Sequence, residues 1–416
     1  LTKLQAPFTV KSGGHTAFEG GSNIDDGVTV DLVHLNELHV SDDRKTVSVG
    51  PGLRWVNVSL ALDPMNLAVL GGRDADVGVS GLLLGGGFSF FSGRHGWAAD
   101  NVKKFEIVLA SGDVTHASPR ENRDLYKALR GGGGCSFGIV TRFDLEAYDQ
   151  GDLWTNTLVF PEETSRQVYE RFKTLVWSGL EEDLDAHTYL VKMKTSESGF
   201  STLISLFHAV PPVDDQAPAP FQPFQSLPDA FVNATMVSNV TTLSEAIRSA
   251  YGSRRTWSNL TWRFKSVELL EEISQLWKEA VVKIQSAAGS RKVETYFANQ
   301  PITKAMITAS QKNGGNSMSL NPEDGPLLET HSLVEWKDAE LDDTILNINQ
   351  ELITAIKEAT MCHDVHHDFV YMNYAGEWQD PLKSYGEESY QNLQKVAAKY
   401  DPNGSLKALW KGYFQV

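Results

Sequence analysis

Cysteine is almost missing from this 416-residue chain: Cys135 and Cys362 are the whole complement, so no disulfide framework follows from the sequence. Neither lies in a CxxC, and no HExxH or paired-histidine spacing marks a metal site. No apolar run approaches the length needed to span a bilayer, which argues against a membrane partner. Positive charge is scarce as well. With 37 Lys and Arg against 53 Asp and Glu, the net charge of -16 supplies no broad cationic field for a nucleic acid. GxGxxG does not occur, which weakens a Rossmann reading, and without GxxxxGK[ST] the common nucleotide-triphosphate loop is excluded. There is no internal repeat and no low-complexity tract. The composition that remains, 41% hydrophobic and 22% charged, is that of a globular protein long enough for two or three folding units.

Glycine is plentiful, and it is clustered. Nine glycines lie from Gly71 to Gly96, and three clusters stand out: Gly13-Gly14, the Gly71 to Gly87 stretch, and Gly131 to Gly134. A glycine costs roughly 0.5–1 kcal/mol in regular structure, so clusters are tolerated where backbone must approach something closely. Lys11-Ser12-Gly13-Gly14-His15-Thr16 follows the strand-like Pro7-Phe8-Thr9-Val10. Two glycines there let successive N–H groups converge into an anion-binding nest, most often for a phosphate. An imidazole at the exit can touch whatever the phosphate belongs to, an arrangement suited to a flavin dinucleotide tethered to His15. The plain alternatives are a turn with a surface histidine and, for each cluster, a mobile surface loop. A long ligand lying along all three clusters fits best.

Residues 1–148 are glycine-rich and strand-rich, with strands expected at 28–32, 46–49, 105–110 and 137–145 and a helix at 55–62. Ser118-Pro119-Arg120-Glu121 reads as a capped start of a helix running to Arg130. Residues 149–365 show helical periodicity at 162–180, 243–251, 267–287 and 341–359, with strands at 188–193, 202–210, 292–297 and 327–336. That is the pattern of an antiparallel sheet backed by helices. The proline-rich residues 210–228 read as a long loop, a lid or an entrance wall. In 366–416 a strand is expected over 369–374, a turn over 381–385, and a helix to Tyr400 opened by a Ser384–Glu387 capping box. His363, His366 and His367 read as a solvated loop.

Five ordered motifs carry a family likeness: Ser12-Gly13-Gly14-His15; Val77-Gly78-Val79-Ser80-Gly81-Leu82 followed by Leu84-Gly85-Gly86-Gly87; Gly96 to Val102; Arg130 to Gly134 with Phe137-Gly138-Ile139-Val140; and Tyr371-Met372-Asn373-Tyr374 with Asp401-Pro402-Asn403. In them the chain resembles, over nearly its whole length, the flavin-linked oxidases of the vanillyl-alcohol-oxidase/PCMH-type fold, in the berberine-bridge-enzyme-like branch. The resemblance implies an α+β fold: a PCMH-type FAD-binding domain of two α/β subdomains in 1–148, truncated at its N-terminal side relative to the family, a substrate domain in 149–365, and a C-terminal return in 366–416. It implies FAD as cofactor, held by Ser12, Gly13, Gly14, His15 and Thr16, by Gly72, Val77, Gly78, Ser80, Gly81, Gly85, Gly86 and Gly87, by Asp100, Asn101 and Val102, by Gly138, Ile139 and Val140, and by Asn373. Relatives with two covalent links carry a cysteine where this chain has Asp74, so the resemblance implies a single link, through His15. Ser136 replaces an asparagine common in the fourth motif.

The implied reaction is oxidation of an alcohol, amine or activated C–H group, a hydride passing to flavin N5 and dioxygen reoxidising the flavin to give hydrogen peroxide. A dehydrogenase of the same fold and an inactive paralogue are the alternatives. Tyr374 is the first candidate for the base, although a phenol of pKa about 10 needs a cation or hydrogen bonds beside it. His331 is the second, on a strand where other relatives carry a glutamate base. Strand alternation would put Met372 with Tyr374 on one face, Asn373 on the other toward flavin or core, and His331 with Leu333 and Glu335. Glu335 and Trp336 are further candidates for the pocket wall. Each of these side chains also has a purely structural reading. Asn-x-Ser/Thr sequons at Asn57, Asn233, Asn239, Asn259 and Asn403 favour a secreted protein bearing N-linked glycans, and the start at Leu1 reads as a mature or clipped form. The expected partners are thus a small-molecule substrate and dioxygen. Sugars, alkaloids, phenols and polyketides all remain compatible as substrates.

Overall fold

The computed structural model describes residues 1–195, 198–214 and 216–416. Strand Phe8–Lys11 lies parallel to Val28–Asp31 and delivers the Gly13-Gly14 turn at its end. Beside this pair stands an antiparallel sheet in the order Leu38–Val40, Thr46–Val49, Ile139–Asp149, Val102–Val108, Val114–Ala117, with Leu67–Val69 pairing the far end of Ile139–Asp149. Alternation along these strands buries Val47, Val49, Phe105, Ile107, Phe143 and Leu145. The helix Trp55–Leu62 packs Trp55, Val58 and Leu62 into the same core, which also takes in Tyr371 and Leu393 from the last fifty residues.

The second sheet is eight-stranded and antiparallel, in the order Val232–Ser238, Leu153–Pro161, Ser201–His208, Ala186–Lys194, Glu294–Ile302, Leu327–Trp336, Arg254–Arg263, His366–His367. One face packs against the helices Val267–Ala288 and Asp342–Cys362 through Leu270, Ile273, Trp277, Ile353 and Ile356. The long helix Val267–Ala288 starts where the Ser266 hydroxyl accepts the Leu269 N–H at 3.1 Å. Because side chains alternate, Leu190 enters that helix-covered core while Tyr189, Val191 and Met193 point to the other side and line a cavity.

Several expected boundaries shift for identifiable reasons. Ser118 and Glu121 exchange backbone hydrogen bonds, and the Ser118 hydroxyl accepts the Arg120 and Glu121 N–H groups. They close a turn of their own, and the helix runs only over Arg123–Leu129. The Ser384–Glu387 capping box does not form: the Ser384 hydroxyl donates to Pro381 and accepts from Val370, and the helix Glu387–Tyr400 starts after Gly386. In the proline-rich stretch, Ala219–Phe221 and Gln222–Gln225 form short helical turns that bury Phe221 and Phe224; residue 215 lies outside the described residues. His366 and His367 are no solvated loop, since they pair with Trp262 and Thr261 at the sheet edge. His363 does stay exposed, with Glu272 at 3.1 Å. Among the sequons, Asn259 is fully buried and so cannot carry a glycan in the folded chain.

Candidate active site

The three glycine clusters meet on one cavity of about 720 Å³. Its wall runs from Trp410 and Tyr413, beside the parallel pair, to Tyr189 and His331 on the eight-stranded sheet. Ser12, Gly13, Gly14, His15 and Thr16 line it, as do Val77, Gly78, Ser80, Gly81 and Gly85 from the second cluster. Gly138, Ile139 and Val140 line it too, and so do His331, Asn373 and Tyr374. Close backbone approach explains the glycines: a Cβ on Gly13 would stand 2.5 Å from the Gly78 nitrogen, and one on Gly78 would stand 2.3 Å from the Gly13 nitrogen. No side chain fits between these two ribbons.

Other expected cofactor contacts lie behind the wall. Gly72 packs on Trp55. Gly86 and Gly87 accept the Ala99 and Ala98 N–H groups at 2.8 and 2.9 Å. Asp100 is fully buried, where it accepts from Trp97 N–H at 3.0 Å and from Asn316 at 2.9 Å, and burial pushes its carboxyl up to about 6. Asn101 donates to the Trp97 carbonyl at 2.8 Å, and Val102 belongs to the core. These residues brace the glycine stretch from behind and do not line the cavity. Glu335 and Trp336 also turn away: Glu335 pairs with Arg255 at 2.6 Å, and Trp336 donates to Asp342 at 2.7 Å.

His15 presents an imidazole whose Nε2 has no hydrogen-bond partner, with an Asp74 carboxylate oxygen 3.8 Å away. Burial lowers its pKa, against the opposing pull of Asp74, so the ring is neutral. Asp74 is itself fixed, accepting from Asp76 N–H at 2.9 Å and from the Ser249 N–H and hydroxyl at 3.0 and 2.5 Å. Cys135, which also lines the cavity, is inert: burial pushes its thiol up to about 12.

The strand expected over 369–374 is absent. Asn259 offers its side-chain amide to both backbone groups of Tyr371, at 2.9 and 3.0 Å, and so stands in for a ladder partner; Met372–Tyr374 then turns as one 3₁₀ turn. Alternation therefore does not set the faces here. The Tyr371 hydroxyl accepts the Gly87 and Phe88 N–H groups at 3.0 and 3.3 Å and the Asn373 amide at 3.0 Å, which pins the turn to the glycine stretch. Asn373 also donates to the Leu82 carbonyl at 3.1 Å.

Tyr374 is thereby delivered to the cavity beneath Trp257, their ring centroids 4.7 Å apart and stacked, with the His331 ring at 4.4 Å. His331 is oriented by the fully buried Glu329, whose oxygens stand 2.9 and 3.2 Å from its Nδ1. Gln300 donates to Glu329 at 3.3 Å. Arg73 donates through Nη2 to Gln300 and, at 3.3 Å, to the Tyr374 hydroxyl oxygen. The cation that a phenol base requires is therefore in place. Arg73, Trp257, Gln300 and Glu329 were not foreseen. The signal available for Arg73 was that it is the one cation between Gly71 and Gly87; for Trp257 it was the β-branched and aromatic run 256–262.

A model of an FAD binding domain matches residues 1–118. The chain is 34% identical over 418 residues to an FAD-dependent monooxygenase of Cochliobolus heterostrophus, spanning 98% of this chain and 79% of that protein. Among solved structures it superposes on the xylooligosaccharide oxidase of Myceliophthora thermophila with a TM-score of 0.79, at 20% identity, over 100% of this chain and 88% of the other. With 6-hydroxy-D-nicotine oxidase of Arthrobacter nicotinovorans the TM-score is 0.76 at 19% identity, over 98% of this chain and 87% of the other.

Proposed function

This chain belongs to the FAD-dependent oxidoreductases of the vanillyl-alcohol-oxidase/PCMH-type fold, in the berberine-bridge-enzyme-like branch, and on that premise we propose that it oxidises a small molecule with Tyr374 as the proton acceptor and a single covalent link through His15. The observation that carries the reading is the convergence of three side-chain-poor ribbons on one cavity with an unpartnered, neutral imidazole at its edge. These residues fit the dinucleotide: the turn Ser12–Gly14 offers backbone N–H groups to a pyrophosphate, and Gly78 to Gly85 leave room for a flat ring system. When bound, FAD supplies the two-electron acceptor and returns the electrons to dioxygen.

The remaining work falls to side chains. Trp257 holds the Tyr374 ring by stacking, Arg73 places a fixed positive charge beside the oxygen that receives a proton, and Glu329 orients His331 at the pocket edge. Apolar walls from the sheet exclude water around them. Asn57, Asn233 and Asn403 keep exposed sequons, which supports a secreted, glycosylated protein.

Acid precipitation of the purified protein tests the link: yellow colour should stay with the pellet and leave it in His15→Ala. A second reading, insertion of an oxygen atom into the substrate, is favoured by the name of the Cochliobolus relative. Isotopically labelled dioxygen separates the two, since label enters peroxide in an oxidase and product in a monooxygenase.

A further inference from the structure

Resting on that reading of the cavity, we propose that Arg73 is the recognition point for an anionic oxygen of the substrate, and that the substrate is a largely apolar, ring-bearing acid rather than a polyol or an amine. Arg73 lines the cavity. Its Nη1 meets His187 Nε2 at 3.0 Å, and its Nη2 donates to Gln300 and to the Tyr374 hydroxyl. None of these three partners is a carboxylate. Burial first, and Arg73 second, hold His187 well below the ordinary imidazole range, so that ring is a neutral acceptor. The guanidinium also lies over the Tyr189 and Phe88 rings, at 5.2 and 5.7 Å from their centroids.

Among the described residues no carboxylate pairs with it. The acidic side chain on the cavity wall, Asp74, is committed to Ser249 and the Asp76 N–H. A guanidinium has five N–H groups; the described protein engages three of them, leaving Nε–H and one Nη1–H without a partner. A partly buried cation with no carboxylate beside it is costly, and each free N–H can donate a charge-assisted bond to one oxygen of a carboxylate or to the oxygen of an ionised hydroxyl.

The rest of the wall sets the framework. Val191, Met193, Leu203, Ala298 and Leu333 present an apolar patch, with the Trp257 ring, Thr157, Ser205 and Tyr296 also on the wall. A sugar laid across those five apolar side chains would leave the hydroxyls over them unpaired, which disfavours it. An ammonium would meet the Arg73 charge with no carboxylate free to offset it. A flat acid satisfies both surfaces at once.

Calorimetric titration of the protein as it purifies tests this with cinnamate, its uncharged amide cinnamamide, and cellobiose. A second pair, 4-nitrophenolate and 4-nitroanisole, distinguishes a carboxylate from an ionised hydroxyl. One member of a charged pair should bind ~10-fold or more tightly than its neutral twin, as expected for a charge-assisted hydrogen bond. Arg73→Met should abolish that ratio, and Arg73→Lys, which keeps the charge, should keep part of it. Equal binding of both twins in both pairs, retention of the ratio in Arg73→Met, or tightest binding of cellobiose would overturn the proposal. A protein that purifies without flavin would overturn the oxidoreductase reading instead, while the calorimetric ratio still decides this one.

Discussion

Arg73 donates to the Tyr374 hydroxyl oxygen at 3.3 Å, joining the second glycine cluster to the C-terminal turn across 301 positions of sequence. The bond brings the only cation of the Gly71 to Gly87 stretch to a tyrosine stacked on Trp257.

Tyr374→Phe removes the proton acceptor and keeps the ring that Trp257 holds. The kcat should fall ~100- to 10,000-fold, the range for loss of a general base, with little change in KM. Steady-state kinetics on the flavin-loaded variant decide it; an unchanged kcat would return the role to His331.

Tyr371→Phe takes away one oxygen that accepts three N–H groups, from Gly87, Phe88 and Asn373. The buried donors left unpaired should cost roughly 1–3 kcal/mol or more. Thermal melting should show the loss, accompanied by lower flavin occupancy because the turn that carries Tyr374 is released.

Gly85→Ala places a methyl group 2.0 Å from the Asn373 carbonyl oxygen, in a space the asparagine cannot leave without breaking its bonds to Leu82 and Tyr371. Overpacking of this kind costs about 1–3 kcal/mol. The variant should melt earlier than wild type and hold less flavin, whereas an alanine at Gly112, with nothing within 4 Å but a φ of +91°, should cost only local backbone strain and leave flavin content unchanged.

Asp100 gives a pH dependence of stability. Burial raises its folded-state pKa to about 6, above the value of about 3.9 in an unfolded chain. The folded protein then holds the proton more tightly, so Asp100 stabilises the fold below about pH 4, and that contribution is lost as pH rises through about 6. Asp100→Asn cannot ionise. The melting temperature of the variant relative to wild type should therefore rise between about pH 4 and pH 6 and level off above; a flat difference across that window would disprove the assignment.

Secondary structure was legible where periodicity is long and unbroken. The helices Val267–Ala288 and Asp342–Cys362 declare themselves by apolar spacing, and the strand Leu327–Trp336 by alternation. The turn at Met372–Tyr374 did not, because what ends the expected strand is a side chain 112 positions earlier: Asn259, read along the chain as part of a glycan sequon, occupies the backbone groups of Tyr371. Asp100 and Asn101 sat in a motif beside the cavity glycines in sequence, yet they fold behind them as a brace. Motif spacing marks which segments gather at a site. It does not say which residues in a segment face the ligand.

By itself the amino-acid order determined where backbone can come close to backbone: Gly13 and Gly78 tolerate contact because they lack a Cβ, a property fixed by residue type and independent of what they meet. Only the tertiary structure decided the electrostatics of the pocket. Whether Arg73 carries a counter-ion, whether His187 is neutral, and which oxygen Tyr374 shares depend on groups from four separate strands and loops, and charge interactions depend on distance in space, about which sequence separation is silent.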